Sequence, residues 1–188
     1  MERQIELSDP AALRGLAHPV RLRLVALLRR EGPLTASEAG RRLGESSGST
    51  SYHLRQLERF GLVEEAGDRH GRQRPWRATA LFTSWPSVPE SEELAEASLV
   101  LDRFVVRRYG ERLGDWIERR REEPREWVEA SAFGDSLLYL DVEELATLRD
   151  ALQALAEPYL ERIADPSLRP PGARPVALVQ IAFPVDEP

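Results

Sequence analysis

Apolar positions fall three and four residues apart from Pro10 to Leu16 and again from Val20 to Glu31, the spacing of helices with one buried face. Ser8 or Asp9 ahead of Pro10 reads as an N-cap with proline in the first turn, opening a short helix through Leu16. His18-Pro19 breaks that helix and starts VRLRLVALLRRE, where Leu24, Leu27 and Leu28 share a face with Val20 until Gly32-Pro33. Thr35 and Glu38 have capping-box spacing at the start of ASEAGRRL, which stops at Gly44. A helix over 48–60, GSTSYHLRQLERF, follows the turn GESS, and Gly61 reads as its C-terminal cap. LVEEAG and PWRATA then read as two strands around the polar DRHGRQR.

Helix, helix, turn, helix and hairpin, in that order, make a winged helix-turn-helix with its wing at 67–75. Two prolines and several hydroxyl residues interrupt the periodicity in TSWPSVPES, residues 83–91, which sets a boundary between a domain over 1–85 and another over 86–188. Ser87 and Glu90 match a capping box opening a helix over 88–123, whose apolar residues repeat every four positions from Ala97 to Ile117. A stripe that long needs another helix to cover it. Leu94, Leu101, Phe104, Val105, Tyr109, Leu113 and Trp116 are therefore the expected dimerisation residues. Strands are expected near 126–140, a helix capped by Asp141 over 142–163, and a strand over 176–183 from the run VALVQIAF. The expected fold class is α+β and mainly helical: an N-terminal winged helix-turn-helix domain plus a C-terminal helical domain with a small β-sheet.

Charge divides the chain in the same way. All 26 basic residues are arginine; residues 1–80 hold 14 of them against 10 carboxylates, net +4, and residues 81–188 hold 12 against 22, net −10. A basic binding module joined to an acidic module with another task fits that asymmetry. There is no cysteine, which excludes disulfides and thiolate metal sites, and the three histidines are widely spread. No apolar run approaches the length of a membrane span, and MERQIELSDP lacks a secretory pattern, so the expected location is cytoplasmic and no membrane partner is expected.

On a helical wheel centred on Leu54, Thr50, Leu57 and Gly61 cluster on the core side of the 48–60 helix. The other side shows Gly48, Ser49, Tyr52, Arg55, Gln56 and Arg59, with His53 at the border. Arginine and glutamine can make bidentate contacts with base edges, and small hydroxyls can meet bases or phosphates. Any solvated helix shows polar residues outward, so context decides. Arg69, His70, Arg72 and Arg74 on the hairpin loop form a second basic group that could reach the DNA backbone or minor groove. His18, before a proline at a helix start, reads as a packing or capping residue.

The stretch from Leu16 to Glu65 resembles the ArsR-type winged-helix transcriptional regulators. The pieces that carry the resemblance are His18-Pro19-x-Arg21, Ser51-x-His53-Leu54-x-x-Leu57, and Gly61-Leu62-Val63 leading into the wing. The resemblance covers about residues 10–80 and implies DNA contact from Ser47, Ser49, Tyr52, His53 and the wing arginines. It also implies a homodimer on an inverted repeat of double-stranded DNA, with repression the direction of regulation. ASEAGRRL lacks the cysteine ligands of the metal-sensing members, so no metal and no cofactor is expected. A small-molecule effector of the acidic domain stays open. The competing reading, a protein-interaction adaptor on the same fold, is disfavoured by Arg55, Arg59 and the wing. No nucleophile-base motif, phosphate-binding glycine loop or metal-ligand set argues for an enzyme.

Overall fold

The computed structural model describes residues 2–67 and 74–185. The chain divides into two compact units, Met1–Arg107 and Arg108–Pro188, each described separately below.

In the first unit, β1 (Glu2–Glu6) precedes α1 (Pro10–Leu16), α2 (Pro19–Glu31), β2 (Leu34–Thr35), α3 (Ala36–Leu43) and α4 (Ser47–Arg59). β3 (Val63–Glu65), β4 (Pro75–Ala78), β5 (Ala80–Ser84) and the start of α5 (Glu92–Arg119) follow. The caps read from the sequence form. Asp9 accepts from Ala11 N–H, and Thr35 and Glu38 close a reciprocal capping box that satisfies two backbone donors. Leu13, Leu24, Leu28, Leu54, Leu57 and Leu62 are fully enclosed, so the leucine faces of α1, α2 and α4 meet in one core.

A three-stranded antiparallel sheet, β2-β4-β3, carries the hairpin, with Val63 opposite Ala78 and Glu65 opposite Trp76. Trp76 and Ala78 point inward while Arg77, between them, is exposed, the period-two alternation of a half-buried strand. The hydrophobic pattern predicts no strand at residues 2–6 or 80–84. Here β1 runs parallel to β5, with Glu2 opposite Ala80 and Glu6 opposite Ser84. β1 is mostly polar because only Ile5 and the following Leu7 turn towards the core.

The division at Arg107 lies later than the expected boundary at residue 85. The physical reason is that Leu94, Ala97, Ser98 and Leu101, in the first turns of α5, are buried in the core of the first unit. Leu94 and Leu101 are thus core residues of their own chain, contrary to their expected place in a dimer interface. Phe104 and Val105 pack half-buried against the same core. The helix also starts later than the expected residue 88. Ser91 Oγ, rather than Ser87, accepts from a helix donor, Leu94 N–H at 3.2 Å.

The second unit holds the rest of α5, then α6 (Arg125–Glu129), α7 (Val142–Ala164) and a 3-10 turn at Pro166–Leu168. α7 matches the expected helix, with Asp141 and Glu144 in a reciprocal capping box. The strands expected near 126–140 and over 176–183 are absent among the described residues, and so is the small sheet they were to form. Pro124 at the N-cap and the Arg125–Glu129 pair, 2.6 Å apart, turn the first part of 126–140 into helix. For the remainder, apolar sequence is not enough: a strand needs a ladder, and residues 175–185 share no backbone hydrogen bond with any described residue. The chain is nevertheless mainly helical α+β, its sheets confined to the first unit.

Candidate nucleic-acid interface

α3 and α4 are locked together through the turn between them. Gly44 adopts φ +71°, a left-handed cap suited to glycine, and its N–H donates to Gly40 O. Glu45 N–H donates to the same carbonyl at 2.9 Å. Arg23 on α2 donates to Leu43 O at 2.6 Å, fixing the end of α3. Gly40 lies at a close approach of the helices: a Cβ there would stand 2.8 Å from Glu45 O and 3.0 Å from Thr50 Oγ1. Ser46 caps α4 by accepting from Ser49 N–H, and the enclosed Thr50 hydroxyl donates to Ser46 O at 2.9 Å.

These contacts fix which face α4 shows. Thr50, Leu54 and Leu57 are buried, as the wheel predicts. Gly61 departs from that prediction: it is exposed, sits just beyond the Phe60 cap, and takes φ +68° to reverse the chain into β3. Gly48, Tyr52, Arg55 and Arg59 form the exposed stripe, with Ser47 exposed at the helix start. Ser49, His53 and Gln56 are half-buried along its edge. Arg55 and Arg59 form no ion pair with any described residue, so two guanidiniums stand free on this stripe.

His53 is held differently from its neighbours. Its ring lies 4.5 Å from that of His18 and 5.2 Å, edge-on, from that of Tyr52. His18 caps α2, its Nδ1 accepting from Val20 N–H at 3.2 Å, which requires that nitrogen to be unprotonated. Burial, then the neighbouring Arg21, push the His18 pKa below its ordinary value; burial, then His18 and Arg21, do the same to His53. Arg21 Nε and His53 Nδ1 are both buried without a hydrogen-bond partner among the described residues. The junction thus joins the start of α2 to the exposed helix through two rings whose surroundings favour the neutral form.

On the hairpin, Arg74 donates through Nη1 to both carboxylate oxygens of Glu65, at 3.0 and 2.9 Å. Its charge is already matched, unlike those of Arg55 and Arg59. Arg69, His70 and Arg72, the other expected wing contacts, lie outside the described residues. Sequence reasoning missed Ser46, Gly40 and Arg23, which touch no exposed stripe but set its orientation. The signal for Ser46 was available, as a serine three residues before Ser49 at a helix start.

Among the described residues, no group of three or more His, Asp or Glu side chains could hold a metal ion, and no helix is long and apolar enough to cross a membrane.

A family model described as a helix-turn-helix domain matches residues 16–66, which contain α2, α3 and α4. No curated protein matches. Among solved structures, the chain is similar to the homodimeric winged helix-turn-helix DNA-binding domain of Mb0332 from Mycobacterium bovis, at 24% identity over 48% of this chain and 71% of that one, TM-score 0.33. It is similar to the transcriptional repressor BigR from Xylella fastidiosa at 24% identity over 51% and 82%, TM-score 0.30. A MarR family protein from Bacillus stearothermophilus shares 16% identity over 79% and 81%, TM-score 0.33.

Proposed function

We propose that this chain is a sequence-specific DNA-binding transcriptional regulator of the ArsR type, acting as a homodimeric repressor. α4 enters the major groove, and the wing at 67–75 lies on the backbone or in the minor groove. The observation that carries the reading is the stripe of Gly48, Tyr52, Arg55 and Arg59, which holds two arginines without ion-pair partners among the described residues, on a helix whose opposite face is locked into the core. Unpaired guanidiniums are the groups that pair bidentately with guanine edges. Ser47, Ser49 and Gln56 flank the stripe, where hydroxyl and amide groups can meet phosphates or an adenine edge.

Two copies place two α4 helices in successive major grooves, about 34 Å apart, on an inverted repeat. Tyr109, Leu113 and Ile117, spaced four residues apart on α5, stay exposed at 37–44%, and Trp116 is half-buried beside them. Of the expected dimerisation residues, Tyr109, Leu113 and Trp116 remain here once Leu94 and Leu101 are assigned to the core, and Ile117 extends their line. Repression follows from occupancy of a promoter, and a small molecule acting on the acidic half would shift operator affinity.

The test compares base preference with overall affinity. Arg55→Ala or Gln56→Ala relaxes discrimination at one position of each half-site by about 1–3 kcal/mol. Arg72→Ala weakens binding to every sequence alike and lowers the salt dependence. A uniform loss for the α4 variants across all duplexes, with base preference unchanged, refutes the base-reading assignment.

A further inference from the structure

Among its described residues, the second unit encloses no core. Not one described residue from Arg108 to Val185 is buried, whereas the first unit encloses a continuous leucine core. Two uncoiled segments account for much of the exposed apolar surface. Val176, Leu178, Ile181 and Phe183 are each 61–76% exposed in one, and Phe133 and Tyr139 are 70% and 81% exposed in the other. Residues 175–185 include no charged side chain, and the backbone hydrogen-bonding groups there are unpaired among the described residues. Such a run combines the two properties of a strand without a sheet: apolar side chains on both faces and a free ladder edge.

We infer that the second unit is completed in trans, the segment 176–183 of one copy pairing as a strand with the second unit of another copy. The inference deepens the homodimer reading above, on which it rests, by naming the surface that joins the copies. Residues 133–140 and 176–185 leave eleven large apolar side chains exposed. At about 80 Å² of coverable surface each, they offer about 900 Å² per chain. Taken together, the two segments offer more than the single largest apolar patch of an ordinary monomer, about 300–600 Å². It also meets the roughly 800 Å² per partner of a stable interface. A second copy is the fitting occupant for two reasons. The exposed apolar area matches what each partner of a stable dimer buries. Although the chain from Arg108 onward is acidic, the segments themselves carry a single charge, Asp135, so two like-charged units can meet there without opposing charges at the contact. A two-fold arrangement closes the assembly at two copies, since each segment meets the same surface on its neighbour.

The experiment is sedimentation of the full chain over a range of concentrations, together with amide hydrogen exchange, on the wild type and on Leu178→Asp and Ile181→Asp. The expected result is a wild-type dimer in which the amides of 176–183 are protected at least tenfold over exposed coil. The aspartate variants shift the dissociation constant upward at least a hundredfold while the first unit keeps its melting transition. A wild-type monomer at all concentrations overturns both this inference and the homodimer reading. A dimer whose 176–183 amides exchange as fast as exposed coil, or one unaffected by either aspartate, overturns this inference and leaves the homodimer reading standing on α5. Open-ended assembly beyond two copies overturns the closed two-fold arrangement. Should the variants unfold, the wild-type exchange pattern alone decides.

Discussion

Replacing Gly40 with alanine perturbs the turn that orients α4, and the structure gives the size of the effect. The new Cβ would meet Glu45 O at 2.8 Å and Thr50 Oγ1 at 3.0 Å, while ordinary carbon contacts begin near 3.4 Å. Neither obstacle is the free end of a flexible side chain. Glu45 O belongs to the residue whose N–H donates to Gly40 O, and the Thr50 hydroxyl is enclosed and bonded to Ser46 O. Relief therefore means stretching at least one of these bonds and parting the helices, with a strain cost of about 2–3 kcal/mol. Alanine returns up to about 1 kcal/mol of helix propensity, leaving a net loss of about 1–2 kcal/mol. For a unit of this size that lowers the melting temperature by about 5–10 °C. Gly48→Ala is the matched control, since its Cβ would meet nothing nearer than Ser46 Oγ at 4.0 Å. Thermal unfolding followed by circular dichroism, with duplex binding measured below the transition, reads both effects. G40A melting at or above wild type, alongside G48A, refutes the claim that this close approach sets α4.

Three further outcomes follow from the same geometry. His18 and His53 are held below the ordinary histidine value of 6.5, so folding favours their neutral forms. Their contribution to stability is whole above that pH and declines as pH falls through it towards the lowered native values. His18→Asn keeps a cap acceptor at every pH, so its stability should change less than wild type's between about pH 7.5 and 5.5, and an equal change in the two melting curves argues against the junction. Ser46→Ala removes the α4 cap and should cost about 1 kcal/mol in urea unfolding; no change means the cap is not formed in solution. Arg29 donates to Ala80 O at 2.9 Å and Thr83 Oγ1 at 2.6 Å, so Arg29→Ala should cost about 1.5–3 kcal/mol and speed amide exchange in β5 before α4. Uniform acceleration across the first unit contradicts that local role.

The helices were legible because their signals are local. Pro10 and Pro19 announce helix starts by a missing donor and a preset φ, and Thr35, Glu38 and Asp141 by satisfying single backbone donors; each of those starts forms as read. The buried face of α4 follows from spacing alone. What was not legible depends on distant partners. β1 is polar and short, and becomes a strand only because β5, over seventy residues away, offers it a ladder. VALVQIAF has strong strand composition, yet its backbone finds no hydrogen-bonding partner among the described residues and its one polar tie is Gln180 Nε2 donating to Leu152 O on α7, so composition and structure diverge. Leu94 and Leu101 carried the same spacing as Tyr109 and Leu113, and periodicity cannot tell a face that meets its own core from one left open. For the candidate site, the exposed arginines could be read from the wheel. The Glu65 carboxylate that already engages Arg74 could not, because it lies on the facing strand.

The central claim is that α4 reads base sequence, and selection from a random duplex pool by the purified protein tests it most directly. The winning duplex is then titrated against a scrambled one at several salt concentrations. The account predicts an inverted repeat with half-sites one helical turn apart, bound about a thousandfold tighter than the scramble, the ratio persisting as salt rises. A pool that yields no enriched sequence, with binding that is weak and erased by salt, contradicts it.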